Sequence, residues 1–116
     1  MPDLGMSVFP GSVVAAHLQA SAASLADGTA ARTADACVGT AGELAAIVDH
    51  LVAGQRSLRA ALSHLAEYTR DHGLDPALFE VLSASAAAAG HSADAIAESR
   101  PLLQVVLDVT GPETRL

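Results

Sequence analysis

The chain contains no tryptophan, and aromatic residues make up only 3% of it although hydrophobic residues make up 51%. A core of this composition has to be built from leucine, valine, isoleucine and alanine. Alanine has the highest intrinsic helix propensity, and its small side chain lets helices approach closely. β-Branched residues, which favour strands, are few and scattered. The composition therefore predicts an all-α protein.

Cysteine and basic residues are also scarce. Cys37 is the one cysteine, which excludes an internal disulfide. No histidine or basic residue is near it in sequence, so a small buried hydrophobic role is favoured over a nucleophile. The 6 basic residues are all arginines and are spread along the chain, and the formal net charge is −7. Such a charge repels phosphate backbones and argues against nucleic-acid binding.

Long apolar segments and leader sequences are missing. No apolar run approaches the roughly 20 residues that a membrane-spanning helix requires. No charged segment followed by an apolar stretch and a cleavage site is present. We therefore predict no membrane span and a cytoplasmic location, with secretion that needs no signal peptide as the alternative.

The motifs of enzymes and metal sites are absent from the sequence. None of the histidines belongs to a His-x-x-x-His or Glu-x-x-His pair, the spacings that helical metal sites use. No Gly-x-Ser-x-Gly elbow and no phosphate-binding glycine loop occurs. The acidic residues are spread, and no pair is marked out for acid–base chemistry. We predict a protein that is not an enzyme, with no catalytic residues, metal or cofactor. The histidines are His17, His50, His64, His72 and His91.

Leucines recur at seven-residue intervals between residues 43 and 70, a spacing that aligns them along one stripe of a helix. These are Leu44, Leu51, Leu58 and Leu65. The positions four residues further on complete the stripe: Val48, Gln55, Leu62 and Thr69. One flank of the stripe is largely apolar, which favours a central helix of a bundle over a lone two-stranded zipper with charged flanks. Gln55 is interpreted either as a residue at the edge of the stripe or as a polar contact that sets register.

Glycine and proline signals give the chain a helical domain with two irregular ends. We predict an extended arm over 1–11, one antiparallel helical bundle domain over 12–110 and a loose tail over 111–116. The bundle is predicted to have three main helices and a short fourth one: 12–38, 41–71, 76–99 and 101–109.

The predicted helix boundaries rest on local signals of different strength. Asp75-Pro76, an N-cap residue followed by proline at the first helical position, is the strongest start signal in the chain. Asp27-Gly28 either ends the first helix or only weakens it. Pro101 kinks or restarts the third helix. For the apolar segment after Pro101, a short strand is the alternative to a helix.

One arrangement of these features matches a known family. The apolar step Val8-Phe9-Pro10 leads into an alanine-rich helix, a glycine break and a second amphipathic helix that ends near Tyr68. Over residues 6–72 this order resembles the small helical-hairpin substrates of type VII (ESX) secretion, of the WxG-type, PE and EspC kinds. The resemblance implies a partner-bound protein that is secreted or acts like a chaperone.

Two motifs of that family are altered in this chain. Where WxG-type proteins have Trp-x-Gly at the turn, this sequence has Cys37-Val38-Gly39 and keeps only the glycine. The family's export signal is a tyrosine followed four residues later by Asp or Glu. Here Tyr68 is followed at that distance by His72, and Asp71 comes one position early.

The apolar residues exceed what three helices of this composition are expected to cover. We therefore predict a non-enzymatic protein that forms a homodimer or binds a helical partner. The alternative is a small-molecule-binding helical protein, or an accessory subunit of an enzyme, with an aliphatic pocket. The predicted interaction surface consists of Leu44, Val48, Leu51, Val52, Gln55, Leu58, Leu62, Leu65, Leu102, Leu103 and Val106.

Overall fold

The computed structural model describes residues 10–30 and 39–115, and the description of the fold covers these ranges. The described residues are mostly helical, with no strand beyond an isolated bridge. The prediction of an all-α protein with three main helices and a short fourth one is confirmed. The helices are α1 (Gly11–Ala30), α2 (Ala41–Asp71), α3 (Pro76–Ala97) and α4 (Ser99–Thr110).

Contacts divide the chain into two compact units, Met1–Gly39 and Thr40–Leu116. The sequence predicts one domain over 12–110. In the first unit, α1 continues through Gly28, so this glycine does not end the helix. The remainder of the predicted first helix, residues 31–38, lies outside the described residues, as do residues 1–9 of the predicted arm.

In the second unit, α2 and α3 form an antiparallel hairpin with a four-residue turn. Gly73 has a φ of +66°, in the left-handed region that glycine adopts without strain and that commonly follows a helix end. At the start of α3, the Asp75 carboxylate accepts a hydrogen bond from the Ala77 N–H at 2.9 Å. Pro76 occupies the first turn, where no N–H is needed. The predicted bounds 41–71, and the predicted start of α3, are confirmed.

α4 continues the path of α3 with almost no interruption. Only Glu98 separates them, and its φ of −63° and ψ of −23° are helical. Pro101 lies in the first turn of α4, where its missing N–H breaks no hydrogen bond that the helix requires. The apolar segment after Pro101 is therefore a helix, and the strand alternative is wrong. The predicted end of the third helix at residue 99 moves back to Ala97.

The hairpin closes along a seam of small side chains. Within residues 39–115 no large side chain is fully buried. Ala93 is 0% exposed, and a Cβ added to Gly90 would lie 3.0 Å from Cδ of Arg59. The helices therefore approach closely at these points, because the buried positions are held by small residues. The buried residues of this seam are Ala41, Ala45, Ala66, Thr69, Ala86, Ala89, Gly90 and Ala93.

The seam follows a stripe of α2 that is rotated away from the leucines. Its residues recur at alternating spacings of four and three residues and are buried or half-buried, except for the exposed Arg59: Ala41, Ala45, Val48, Val52, Gln55, Arg59, Leu62, Ala66 and Thr69. Leu44 and Leu58 are half-buried, whereas Leu51 and Leu65 are exposed. The leucines therefore flank the core. The heptad pattern of the sequence instead places them at its centre. The small residues of α3 leave room for the larger side chains of this stripe, and the Gly90 backbone lies next to the Arg59 side chain.

The chain after α4 returns to the start of α2. The N–H groups of Ala41 and Gly42 donate to the carbonyl oxygens of Thr114 and Pro112, each at 2.9 Å. The Thr40 hydroxyl accepts from the Glu43 N–H at 3.2 Å. In place of a loose tail, residues 111–115 therefore supply acceptors for N–H groups of the first turn, which have no partner inside the helix.

Candidate interaction surface

The ionic contacts between the helices of the hairpin lie on one side of the seam. The Asp49 carboxylate accepts from Arg100 Nε at 2.8 Å, and the side chains of Arg56 and Asp94 approach to 3.8 Å. Arg70 lies over the ring of Phe79, 5.2 Å from its centroid. On α2 these positions are seven or fourteen residues apart and form one column beside the seam. We call this the charged side: Asp49, Arg56, Arg70, Asp94 and Arg100.

The charged side continues along α4. The Arg100 guanidinium also donates to Oε1 of Gln104 at 3.2 Å. Gln104 Nε2 in turn donates to Oδ1 of Asp108 at 2.9 Å. This chain of hydrogen bonds gives α4 one polar edge.

The leucines of α2 lie on the opposite side of the seam. With about 100° between successive residues, the leucine column and the column three residues further on both point away from the charged column. The charged-side contacts fix the rotation of α3 and α4, which run antiparallel to α2. The residues on the other side of α3 and α4 therefore lie beside the leucines of α2. We call the combined surface the apolar face. From α2 it contains Leu44, Ile47, Leu51, Gly54, Leu58, Ala61, Leu65 and Tyr68; from α3 and α4 it contains Leu78, Leu82, Ser85, Ala89, Ser92, Ile96, Ser99, Leu103 and Val106.

Large side chains of the apolar face are strongly exposed. The exposed fraction is 53% for Leu65, 57% for Tyr68 and 42% for Leu78. None of the residues that define the face is charged. At the outer edge, Leu102 and Val109 of α4 are 70% and 78% exposed. The fully buried residues are mostly alanines while leucines and valines are exposed, which reverses the usual distribution.

The predicted surface residues fall into two groups in the structure. Val48, Val52, Gln55 and Leu62 are half-buried in the seam toward α3 and α4. The leucine column, Leu103 and Val106 belong to the apolar face, and Leu102 lies at its edge.

Sequence reasoning missed the contribution of α3 to the apolar face. Leu82, Ala89, Ile96 and Leu103 recur every seven residues across the junction of α3 and α4. Such a repeat predicts one continuous stripe. The many small residues between Leu82 and Ile96 obscure it, and Pro101 interrupts it in the sequence but not in space.

Serines of the apolar face have hydrogen-bond partners on their own helix. The Ser85 hydroxyl donates to the Val81 carbonyl at 2.9 Å, and the Ser99 hydroxyl donates to the Ile96 carbonyl at 2.7 Å. These donors therefore need no water, and the side chains present small surfaces that another helix can cover.

The second unit also contains a small cavity, on the charged side. Its volume is about 100 Å³, and it is lined by Arg59, Ala87, Gly90, His91 and Asp94. Ligand pockets are typically about 300–1,000 Å³ and mostly apolar. This cavity is small and polar, so it is not the aliphatic pocket of the alternative hypothesis. Among the described residues, no group of three His, Cys, Asp or Glu side chains is arranged to hold a metal ion.

Tyr68 and His72 pack together at the end of α2. Their rings stack with centroids 3.9 Å apart, and His72 Nδ1 lies 2.9 Å from the Tyr68 carbonyl oxygen. Tyr68 and His72 are the residues that the sequence resemblance compares with the export signal of type VII substrates. The other altered motif, Cys37-Val38-Gly39, lies outside the described residues except for Gly39.

Two broader findings complete the description. None of the helices in residues 10–30 and 39–115 combines the length and hydrophobicity needed to cross a bilayer. Comparison of the chain with protein-family models, with curated proteins and with solved structures gives no match.

Proposed function

We propose that this chain is a non-enzymatic interaction protein, and that its apolar face packs against helices of a partner. The observation that carries the proposal is the placement of large aliphatic side chains on the surface of a hairpin whose buried residues are small. A monomer gains little from this arrangement, because a seam of alanines buries little apolar area. A partner that covers the apolar face gives these side chains a core.

The energy available from this contact is of the right size for association. Full burial of a leucine or valine contributes about 1.5–3 kcal/mol. Covering the large side chains of the apolar face, which are already partly buried, gives on the order of 10 kcal/mol. Association costs about 4–15 kcal/mol in lost translational and rotational freedom. One hairpin face can therefore support a specific complex, and two faces in contact contribute more.

The alternative hypothesis, a small-molecule-binding protein, has less support. The cavity beside Arg59 is polar, and the aliphatic side chains that a pocket would need line an open face. A metabolite that raised the melting temperature of a monomeric chain would favour that alternative.

A narrower form of the proposal is that the chain is a substrate or partner of a type VII secretion system. It is supported by the resemblance over residues 6–72 and by the exposure of Tyr68 at the end of α2. His72 in place of an acidic residue argues against it. Secretion of the tagged chain by a host with such a system, lost on Tyr68→Ala, would support export. Equal retention of both chains in the cells would contradict it.

The proposed function is tested by a pair of charge substitutions with a matched control. Leu51→Glu with Leu58→Glu places two charges on the apolar face. Ala53→Glu with Ala60→Glu places the same two charges, at the same spacing, on exposed positions that point away from it. Immobilised parent and control chains are expected to retain a partner, either the purified chain itself or a helical protein of its host. The apolar-face variant is expected to lose that partner, and equal retention by all three would refute the proposal.

A further inference from the structure

We propose, building on the proposed function, that the partner of the apolar face is a second copy of this chain. The two copies are related by a two-fold axis parallel to the helices. In this dimer, α2 of each copy packs on α3 and α4 of the other copy, and the four long helical segments enclose one core.

The apolar face has a ridge and a groove side by side. The leucines of α2 form the ridge. Between Leu82 and Ile96, α3 presents small residues that form a groove. Packing a ridge of large side chains into a groove of small ones is the general way in which helices interlock. Since each copy carries both features, one two-fold axis matches ridge to groove twice. The groove is lined by Ser85 and Ser92, with Ala89 between them, a residue that is also part of the buried seam.

The contacts within the hairpin determine which residues would meet. Arg56 is level with Asp94, and Arg59 is level with Gly90. Leu58 is therefore level with the groove near Ser92. A two-fold axis parallel to the helices keeps these levels, so Leu58 of one copy meets Ser92 of the other. An axis perpendicular to the helices would instead place ridge against ridge.

Gly54 indicates that a helix approaches the face closely. A glycine inside a helix costs roughly 0.5–1 kcal/mol relative to alanine. A Cβ at this position would meet nothing within 4 Å, so no contact among residues 10–30 and 39–115 accounts for the glycine. Gly54 lies on the apolar face, where its small size leaves room for the backbone of a partner helix.

Area and charge favour a second copy as the occupant. α2 has 31 residues and is therefore about 46 Å long, and two adjacent helices are roughly 18 Å wide. The face thus measures roughly 800 Å², the contribution of each partner to a standard interface. Each chain has a net charge of −7, but the residues of this face are uncharged. Two copies can therefore meet here without placing like charges against each other. Interfaces selective for a different partner commonly use complementary charges, which this face lacks.

The first test is the mass of the purified chain by light scattering at micromolar concentration. The proposal predicts twice the 11.7 kDa of one chain. Leu58→Glu is expected to raise the dissociation constant at least about a hundredfold, because two leucines leave the interface of each dimer. A monomeric parent chain would overturn the proposal.

Cross-linking tests the arrangement. In a Cys37→Ser background, one chain carries Leu58→Cys and a second carries Ser92→Cys. A disulfide requires Cα atoms about 4.4–6.8 Å apart, and a short bis-maleimide relaxes this limit. Cross-linking is expected in the mixture, and in neither chain alone. A mixture of Ala53→Cys with Ser92→Cys serves as the control and is expected to give none.

The outcomes separate this proposal from the proposed function. Cross-linking of Leu58→Cys to itself, with none in the mixture, would overturn the ridge-to-groove arrangement. A monomer that binds a different helical protein through the apolar face would overturn the second copy as partner and leave the proposed function in place. A monomer with no face-dependent partner would overturn both.

Discussion

Small residues in the seam determine how closely the hairpin can close. Ala93→Leu inserts a large side chain where the exposed fraction is 0%. Overpacking of this kind costs about 1–3 kcal/mol, because the helices must separate. Ala84→Leu makes the same change at an exposed position of the same helix and is expected to be neutral within about 0.5 kcal/mol. Urea unfolding of both variants measures the difference, and equal stability would show that the seam tolerates large residues.

The start of α3 depends on one side-chain acceptor. Asp75→Ala removes the carboxylate that accepts from the Ala77 N–H. We expect a loss of about 1 kcal/mol in the free energy of unfolding, the usual effect of losing an N-cap. Asp75→Asn keeps an acceptor oxygen and is expected to retain most of the stability. Thermal or urea unfolding of the two variants checks this order, which an equally large loss for both would contradict.

At the scale of elements, the Asp49–Arg100 pair joins α4 to α2. Its side chains are half-exposed, with an N–O distance of 2.8 Å. A double-mutant cycle with Asp49→Ala and Arg100→Ala is expected to give a coupling of about 0.2–1 kcal/mol. The coupling is expected to decrease with added salt, because exposed ion pairs are screened. Purely additive effects at low salt would show that the pair does not stabilise the contact.

The chain after α4 is expected to protect the start of α2 from hydrogen exchange. A chain that ends at Thr110 loses the carbonyl groups that accept from Ala41 and Gly42. Loss of one hydrogen bond worth about 0.5–1.5 kcal/mol predicts roughly threefold to tenfold faster exchange of these two amides. Amides near Leu62 in the middle of α2 serve as the control and are expected to be unchanged. Unchanged exchange at Ala41 and Gly42 would contradict this role of residues 111–115.

Local sequence signals predict the ends of α2 and the start of α3 correctly. Signals such as Asp75-Pro76 act within a few residues, so their effects can be read from the sequence. The rotation of α2 about its axis is a different kind of property. It depends on Ala86, Ala89 and Ala93 of α3, which meet α2 only after the hairpin forms. The heptad of leucines alone therefore places the core one column away from its observed position.

The junction at Pro101 shows the same limitation. Pro101 predicts a kink or a new start, and a helix does start at Ser99. The sequence does not reveal that α4 continues along α2 in line with α3. That placement depends on the contact of Arg100 with Asp49, two residues that are far apart in the sequence. The apolar face depends on this continuity, since it places Leu103 and Val106 beside Leu44.

At the scale of the whole molecule, the second unit has a charged side and an apolar face. On the charged side, Asp49, Arg56 and Arg100 form ion pairs within the second unit. Within the second unit, the large side chains of the apolar face lie outside the seam between the helices and stay partly exposed. We propose that association covers this face, and its uncharged surface permits such a contact.

The most direct test of association through the apolar face measures association and folding separately in the charge variants. Sedimentation velocity and circular dichroism are recorded for the parent, for Leu51→Glu with Leu58→Glu, and for Ala53→Glu with Ala60→Glu. We expect all three chains to keep their helical content, because neither pair of positions belongs to the seam. Only the apolar-face variant is expected to sediment as a monomer. An apolar-face variant that remains as folded and as associated as the parent would contradict the account.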